Sequence, residues 1–466
     1  MVFSSAVFLC LFLPLTLGIY LVLPAKLRNA FLFAASLAFY AWGEPIYLLL
    51  MLFSTGFNYV CGLLLERWKG RGKASHALLV GSVVVNVGLL VFFKYTDFLL
   101  GIVNDLTGAA IPLLRLALPI GISFYTFQAM TYTVDVYRGS VRAQHNVLDF
   151  GMYISLFPQL IAGPIVRYSE IEPQLRGRRL SADRMTAGML RFTAGLCKKV
   201  LLANQIGALW DEISASAGTA PALTAWLGAL AFTFQIYFDF SGYSDMAIGL
   251  GKLLGFDFPE NFRYPYTARS VTDFWRRWHI TLSAWFRNYV YIPLGGSRRG
   301  LARQIRNLLI VWLLTGLWHG AGVNFLLWGL YYFVFLALEK LFVGKLLARI
   351  PRVFGCVYTL LIVMFGWVIF ACDSPAMLAD YVPSLLGANG FANPTSLYHL
   401  RTAAPLLLVC AVVSSGLPLR LWKRWRGRLS ESLGTGLEMA ASLPALLLCF
   451  VFLIGGSYNP FLYFRF

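Results

Sequence analysis

The sequence predicts an all-α integral membrane protein, one polytopic domain over residues 1–466, and three observations carry that expectation. Apolar residues make up 58% of the chain and charged residues only 13%. The mean hydropathy is +0.67, far above that of soluble domains. Stretches of roughly 20 mostly apolar residues, the length a helix needs to cross a bilayer, recur from residue 5 to residue 455 with short polar breaks. No interval between them accommodates a soluble domain.

Candidate spans lie near 5–23, 29–42, 45–66, 76–100, 113–134, 185–210, 221–250, 305–318, 322–341, 353–371, 403–419 and 437–455. The first has no basic residue ahead of it, unlike a secretory signal with its positive leading region, and reads as a retained span; Lys26 and Arg28 follow it. The 39 basic and 21 acidic residues leave a net charge of +18, but on a polytopic chain the placement of Lys and Arg says more than the total, so no nucleic acid is implied. With both termini outside, the basic clusters at 67–73, 176–184, 263–306 and 420–428 fall inside, and Glu44, Asp211, Glu212, Asp373 and Asp380 fall outside.

One apolar stretch, 147–166, does not fit this scheme, because Arg138 and Arg142 before it and Arg176, Arg178 and Arg179 after it require the same side. Its text, FPQLIAGPIVR, carries Pro158, Gly163 and Pro164 and reads as re-entrant. Irregular backbone at that depth is tolerated only when buried in protein or lining a wet cavity, so an internal cavity is expected. The seven cysteines, at 10, 61, 197, 356, 372, 410 and 449, lie mostly in apolar runs with neither a CxxC pair nor metal spacing, so core packing is expected rather than disulfides or a metal site. No repeat relates the two halves, which counts against a transporter.

Two regions carry the chemistry. In Ser270–Gly300, winding at 100° per residue from Trp275 places Trp278, His279, Leu282, Trp285, Phe286, Tyr289 and Val290 within one arc of about 140°. Arg276, Arg277, Arg287 and Asn288 occupy the remainder, which describes a helix lying in the cytosolic interface. From 263 to 306 there are nine arginines and a single acid, Asp273. Such a patch attracts anionic lipid headgroups or the phosphates of a donor such as a CoA thioester, whose oxygens match guanidinium forks in pairs. His279, at the edge of the arc, is either an anchor for a packed helix or part of the site.

His319 stands in IRNLLIVWLLTGLWHGAGVNFLLWGLYYF, apolar on both sides, so the hairpin carries an ionisable group into or near the hydrocarbon layer. Intramembrane ionisable residues are functional by default, and a neutral imidazole is a base able to take a proton from a hydroxyl. Gly316, Gly320 and Gly322 bracket Trp318 and His319 and allow a neighbouring helix or a thin substrate to approach closely. Upstream, FQIYFDFSGYSDMAIG places Asp239 and Asp245 in another apolar stretch. Asp239 is expected as a structural partner that orients an imidazole or caps a broken helix.

Read together, FDFSGYSDMAIG, FPENFRYPYTARSVTDFWRRWHITLSAWFRNYVYIPLGGSRRG and LTGLWHGAGVNFLLWG resemble the membrane-bound O-acyltransferase superfamily, within it the bacterial alginate O-acetyltransferase branch. The resemblance runs in order over 119–341. It implies a ring of tilted transmembrane helices, with re-entrant and interfacial helices, around a central tunnel. The family's membrane histidine falls on His319 in TGLWHG and its second signature histidine on His279 in WRRWH. Two departures stand out: relatives commonly read RDYLYIPLGG where this chain has Asn288, and Arg263 stands in FRYPY where Asn is frequent. At 459–466, NPFLYFRF resembles the F-x-Y-x-x-F tail of small partners in the related teichoic acid D-alanylation systems, which makes Tyr463 an acyl relay; an aromatic tail packed at the interface is the plain alternative.

The expectation is therefore an acetyl or acyl transferase of a bacterial inner membrane, with no bound cofactor and no metal. It would move the group from acetyl-CoA or another cytosolic thioester to a hydroxyl on an exported polysaccharide or on a relay partner. His319 would be the base, His279 would assist, and Asp239 and Trp318 would support. Arg276, Arg277, Arg298 and Arg299 would hold the donor phosphates. An extracytoplasmic esterase-like acetyltransferase is the expected partner, alongside membrane lipids. The alternatives are a lipid or protein O-acyltransferase and, in another class, a transporter or flippase for an acylated lipid or glycan.

Overall fold

Every regular element among the described residues, 1–455 and 461–462 of a computed structural model, is a helix. Six are long and apolar enough to cross a membrane: Tyr47–Arg67, Lys73–Thr107, Val323–Leu347, Arg352–Ala371, Pro394–Ser414 and Glu431–Gly455. With the shorter apolar stretch Phe8–Val22, these place the chain in a membrane. Packing divides the chain into two units, Met1–Phe192 with Ser244–Pro259, and Thr193–Tyr243 with Glu260–Phe466.

In the first unit a π-helical turn, Phe8–Phe12, leads into α1 (Leu13–Val22), followed by α2 (Arg28–Ala41), α3 (Tyr47–Arg67), α4 (Lys73–Thr107), α5 (Ile122–Arg138), α6 (Val147–Ser155), α7 (Phe157–Leu160) and α8 (Tyr168–Gly177). The packing of α3 on α4 includes a polar pair. Asn58 Nδ2 donates to Asn86 Oδ1 at 3.0 Å and Asn86 Nδ2 returns the bond to Asn58 Oδ1 at 2.8 Å. Each amide spends its other hydrogen on a carbonyl one turn back, Ser54 O or Ser82 O, both at 2.8 Å. Two amides that would each be costly alone in an apolar setting thus satisfy one another.

The segment expected to be irregular is irregular, and it is buried. Helix α6 stops at Ser155, Leu156 leaves the helical region, and residues 149–166 are buried throughout. The groups released by the break find protein partners: Phe157 N donates to Ser36 Oγ at 3.1 Å, Gln159 Nε2 to Tyr153 O at 2.6 Å, and Tyr153 OH to Val166 O at 3.1 Å.

The second unit draws on the end of α9 (Ala182–Cys197), a π-helical turn Lys198–Ala203, α10 (Asn204–Ser214) and most of α11 (Ala222–Leu253). It continues with α12 (Val271–Trp275), α13 (Ile280–Phe286), a π-helical turn Arg287–Tyr291, α14 (Leu301–His319), α15 (Val323–Leu338) and α16 (Gly344–Leu347). Its last helices are α17 (Arg352–Ala371), α18 (Pro375–Leu385), α19 (Pro394–Ser414), α20 (Leu417–Arg426) and α21 (Glu431–Gly455). Helices α14 and α15 meet backbone to backbone. A Cβ on Gly316 would strike the carbonyl oxygen of Phe325, and one on Gly329 would lie 2.5 Å from that of Trp312. The glycines near His319 therefore serve a close helix contact. Gly320, extended at φ −170°, ends α14 and leaves His319 on its last turn.

The continuous interfacial helix expected from Trp275 onward is not formed. It stops at Trp275 and restarts at Ile280, with His279 in the left-handed region at φ 43°, ψ 55°. Backbone pairing with an upstream segment competes with the helix: Arg263 N donates to Arg277 O at 2.9 Å and Ile280 N to Asn261 O at 3.0 Å. Sidedness survives the break, because Trp278, Leu282, Trp285 and Phe286 are buried while Arg276 and Arg287 are exposed.

The amide pair gives a stability prediction. Asn58→Leu strands the Asn86 amide and should cost about 1–3 kcal/mol, whereas Asn58→Leu with Asn86→Leu should cost less than the two single changes summed. Thermal unfolding in detergent reads both, and additive losses would show that the pair is not coupled.

Candidate active site

The tertiary structure builds the site around α14, α15, α17 and the broken segment 271–286. His319 is buried, with its ring edge-on to three aromatics: Trp318 and Trp328 at 5.0 Å and Phe370 at 5.2 Å between centroids. Trp318, also buried, lies between the histidines, with its centroid 5.9 Å from that of His279. Two cavities meet at this point. The larger, about 240 Å³, is lined by both histidines, by Ser283 and Tyr291, and by Arg276 and Arg287. The smaller, about 20 Å³, has room for about one water molecule and is lined by His319, Asp239, Phe461 and Leu462. His319 and Trp278 belong to both linings, and of the two only His319 can exchange a proton.

His279 is oriented by Asn261. Its Nδ1 lies 3.1 Å from Asn261 Oδ1, which also accepts from Thr281 N at 3.2 Å and from Thr281 Oγ1 at 3.0 Å. A main-chain N–H can only donate, so the Asn261 atom facing Thr281 is the oxygen, and the imidazole proton must sit on Nδ1. That leaves Nε2 as a buried acceptor in a residue lining the larger cavity. His279 lies outside the long apolar helices, and burial pushes its pKa down to about 3. It is both a helix anchor, through one hydrogen bond, and a wall of the cavity.

The segment carrying His279 is pinned from below. Ser270 Oγ caps α12 by accepting from Asp273 N at 3.0 Å. The buried Glu339 carboxylate accepts from Val271 N at 2.6 Å, Thr272 N at 2.9 Å and Thr272 Oγ1 at 2.7 Å. An anion at a helix N-terminus faces free N–H groups and the positive end of the peptide dipoles. Of the four arginines expected to hold donor phosphates, Arg276 lines the larger cavity. Arg277 is engaged by Asp273 Oδ1 at 2.9 Å and Thr267 Oγ1 at 3.2 Å, and Arg298 and Arg299 lie in the exposed turn after the π-helical turn Arg287–Tyr291. Arg287 joins Arg276 instead.

On the opposite side, Asp239 pairs with Lys199, Oδ1 to Nζ at 2.5 Å, with both side chains no more than 4% exposed. Its Oδ2 accepts from Leu462 N at 2.6 Å. Phe461 packs on Tyr243 at 5.0 Å and Phe240 at 5.8 Å. Tyr463, and with it all of 459–466 except Phe461 and Leu462, lies outside the described residues.

Sequence reading missed Arg287, Asn261, Glu339 and Lys199 as site residues. A signal existed for Lys199, a cation in the apolar run 185–210 that had to find an acid, and for Glu339, the acid closing the run that begins at 322. Arg287 was seen in the basic segment but could not be separated from eight other arginines. Asn261 sits in a loop with no periodicity to place it.

The model of the membrane-bound O-acyltransferase family matches residues 120–378 of the chain. A protein of Pseudomonas aeruginosa named "Probable alginate O-acetylase AlgI" is 44% identical over 378 residues, covering 80% of this chain and 72% of that one. The protein of the same name from Azotobacter vinelandii is 38% identical with both chains covered in full, 100% each. A peptidoglycan O-acetyltransferase of Helicobacter pylori is 35% identical, covering 87% of this chain and 82% of its own.

The depressed pKa of His279 has a measurable consequence. In the unfolded chain the imidazole titrates near 6.5 and in the folded protein at about 3, so between these values only the unfolded state binds the proton. The contribution is complete above pH about 6.5 and is lost as the pH falls toward 3. His279→Gln should flatten the decline in melting temperature between pH 6.5 and 4; parallel declines in parent and variant would contradict it.

Proposed function

Because the chain belongs to the membrane-bound O-acyltransferase family and is an O-acyltransferase of a membrane, we propose that it carries an acetyl group from a cytosolic thioester to a hydroxyl destined for an exported polysaccharide. The observation that carries this reading is the placement of His319 between an arginine-bearing cavity and a second pocket closed by Phe461 and Leu462. The donor, acetyl-CoA or another acyl thioester, enters the larger cavity. Arg276 and Arg287 meet its phosphates at the exposed rim, and the acyl end reaches the aromatic interior.

His319 takes the proton from the acceptor hydroxyl, whose oxygen attacks the thioester carbonyl carbon. The C–O bond forms, the tetrahedral oxyanion collapses, the C–S bond breaks, and the thiolate takes up the proton. The products are an ester and a thiol. Aromatic walls exclude the water that would otherwise hydrolyse the thioester. His279, with its proton held on Nδ1 by Asn261, assists on the donor side as a hydrogen-bond acceptor. Trp318 separates the two rings, and Asp239 supports the acceptor side.

The polysaccharide assignment draws on the names of the relatives, an alginate O-acetylase and a peptidoglycan O-acetyltransferase. Lys and Arg placement supports a cytosolic arginine-rich segment with both termini outside, in keeping with the proposed bacterial inner membrane. Tyr463 follows directly on Leu462 and is the first hydroxyl to receive the group. An extracytoplasmic esterase-like acetyltransferase then passes it to the polymer.

Two experiments test this. With labelled acetyl thioester and reconstituted protein, the parent should transfer label covalently and His319→Ala should lose at least about a hundredfold, the lower range for removing a general base. Transport of label without covalent transfer, or undiminished polymer acetylation in His319→Ala, would overturn the reading. Tyr463→Phe should abolish both acyl transfer from the thioester and polymer acetylation while donor binding persists, and a fully active Tyr463→Phe protein would end the relay.

A further inference from the structure

We propose that Lys199 and Asp239 form a buried latch that holds residues 461–462 in the pocket beside His319. A lysine–carboxylate pair could serve packing alone, but this carboxylate is shared. One oxygen meets Lys199 Nζ at 2.5 Å and the other accepts the main-chain N–H of Leu462 at 2.6 Å, a residue 223 positions away in sequence. Both charges are almost wholly buried, and their mutual attraction offsets the loss of water only if the remaining lone pairs find donors. The Leu462 N–H is such a donor, so seating the segment completes the pair. The reverse also holds: a charged acceptor grips a main-chain N–H more tightly than a neutral one would.

Three features direct the latch toward the site. Asp239, Phe461, Leu462 and His319 line one cavity. Lys199 comes from a π-helical turn, Lys198–Ala203, which interrupts the register between α9 and α10, a feature frequent where a helix serves function. Phe461 is buried against Tyr243 and Phe240, so the segment is held by ring contacts on one side and by the carboxylate on the other. Lys199 and Asp239 are thus positioning residues: they touch no reacting atom and set where the chain after residue 462 begins. The purpose of the latch rests on the preceding reading, that Tyr463 receives the acyl group, but its geometry stands apart from it.

Hydrogen exchange at the Leu462 amide, followed by mass spectrometry on the full chain in lipid nanodiscs, tests the latch. Exchange should be slow in the parent. In Lys199→Met with Asp239→Leu, an apolar replacement that leaves neither charge stranded, it should be at least about tenfold faster. In Lys199→Met with Asp239→Asn the amide oxygen still accepts, though without charge, and exchange should fall between the parent and the leucine variant. Equal rates in the parent and the leucine variant, or rapid exchange in the parent itself, would overturn the proposal.

Should the leucine variant fail to fold, Leu462→Pro removes the donor, together with the leucine side chain, and leaves both charges of the ion pair in place. Exchange at the Phe461 amide should then rise about tenfold, and no rise would overturn the latch. The two readings fail separately. A fully active Tyr463→Phe protein with a protected Leu462 amide ends the relay and keeps the latch. An unprotected Leu462 amide with an inactive Tyr463→Phe protein does the opposite.

Discussion

Where water is absent, every amide and every charge must be satisfied by the protein, and much of this structure follows from that constraint. It explains the reciprocal Asn58–Asn86 pair, in which two side-chain amides use their hydrogens on each other and on the preceding turn. It explains why the broken stretch 149–166 is buried and its loosened backbone bonded to Ser36, Tyr153 and Gln159. The same constraint joins Lys199 to Asp239 and brings the Glu339 carboxylate to the start of α12. The chain leaves regular helix where a partner is already waiting.

The site uses these satisfied breaks as its framework. Had residues 271–290 continued as one helix, His279 would have stayed on an aromatic face at the rim. The interruption turns it into the cavity instead, with Asn261 selecting the tautomer. His319 is delivered by a different device, a hairpin whose glycines let two backbones touch and whose extended Gly320 ends the helix at the imidazole. Both histidines are packed against tryptophan, in an apolar setting that strengthens local electrostatics. Arg276 and Arg287 remain exposed, where charge costs little and a polyanion can be met.

Most helices were legible in the sequence, because a span is written in consecutive apolar residues: stretches read near 45–66, 76–100 and 353–371 became Tyr47–Arg67, Lys73–Thr107 and Arg352–Ala371. The break at 276–279 was not legible. Its aromatic periodicity fits a continuous helix, and the competing interaction comes from Asn261 and Arg263, in a loop without pattern. Likewise the basic segment announced a polyanion, but nine arginines in a row of motifs do not say which two share a cavity. Arg277 looked equivalent to Arg276 until its neighbours Asp273 and Thr267 were seen to occupy it.

The sequence by itself determined that the chain lives in a membrane, which family it resembles, and that His319 is an ionisable group set among apolar neighbours. These properties are carried by composition and by contiguous motifs, which survive in one dimension. Only the tertiary structure decided that His319 stands where two cavities meet, that Asn261 sets the His279 tautomer, and that Asp239 grips Leu462 as well as Lys199. Those are meetings of residues far apart along the chain. Such meetings are chosen by packing, which places a donor within reach of an acceptor, and no local pattern encodes that distance.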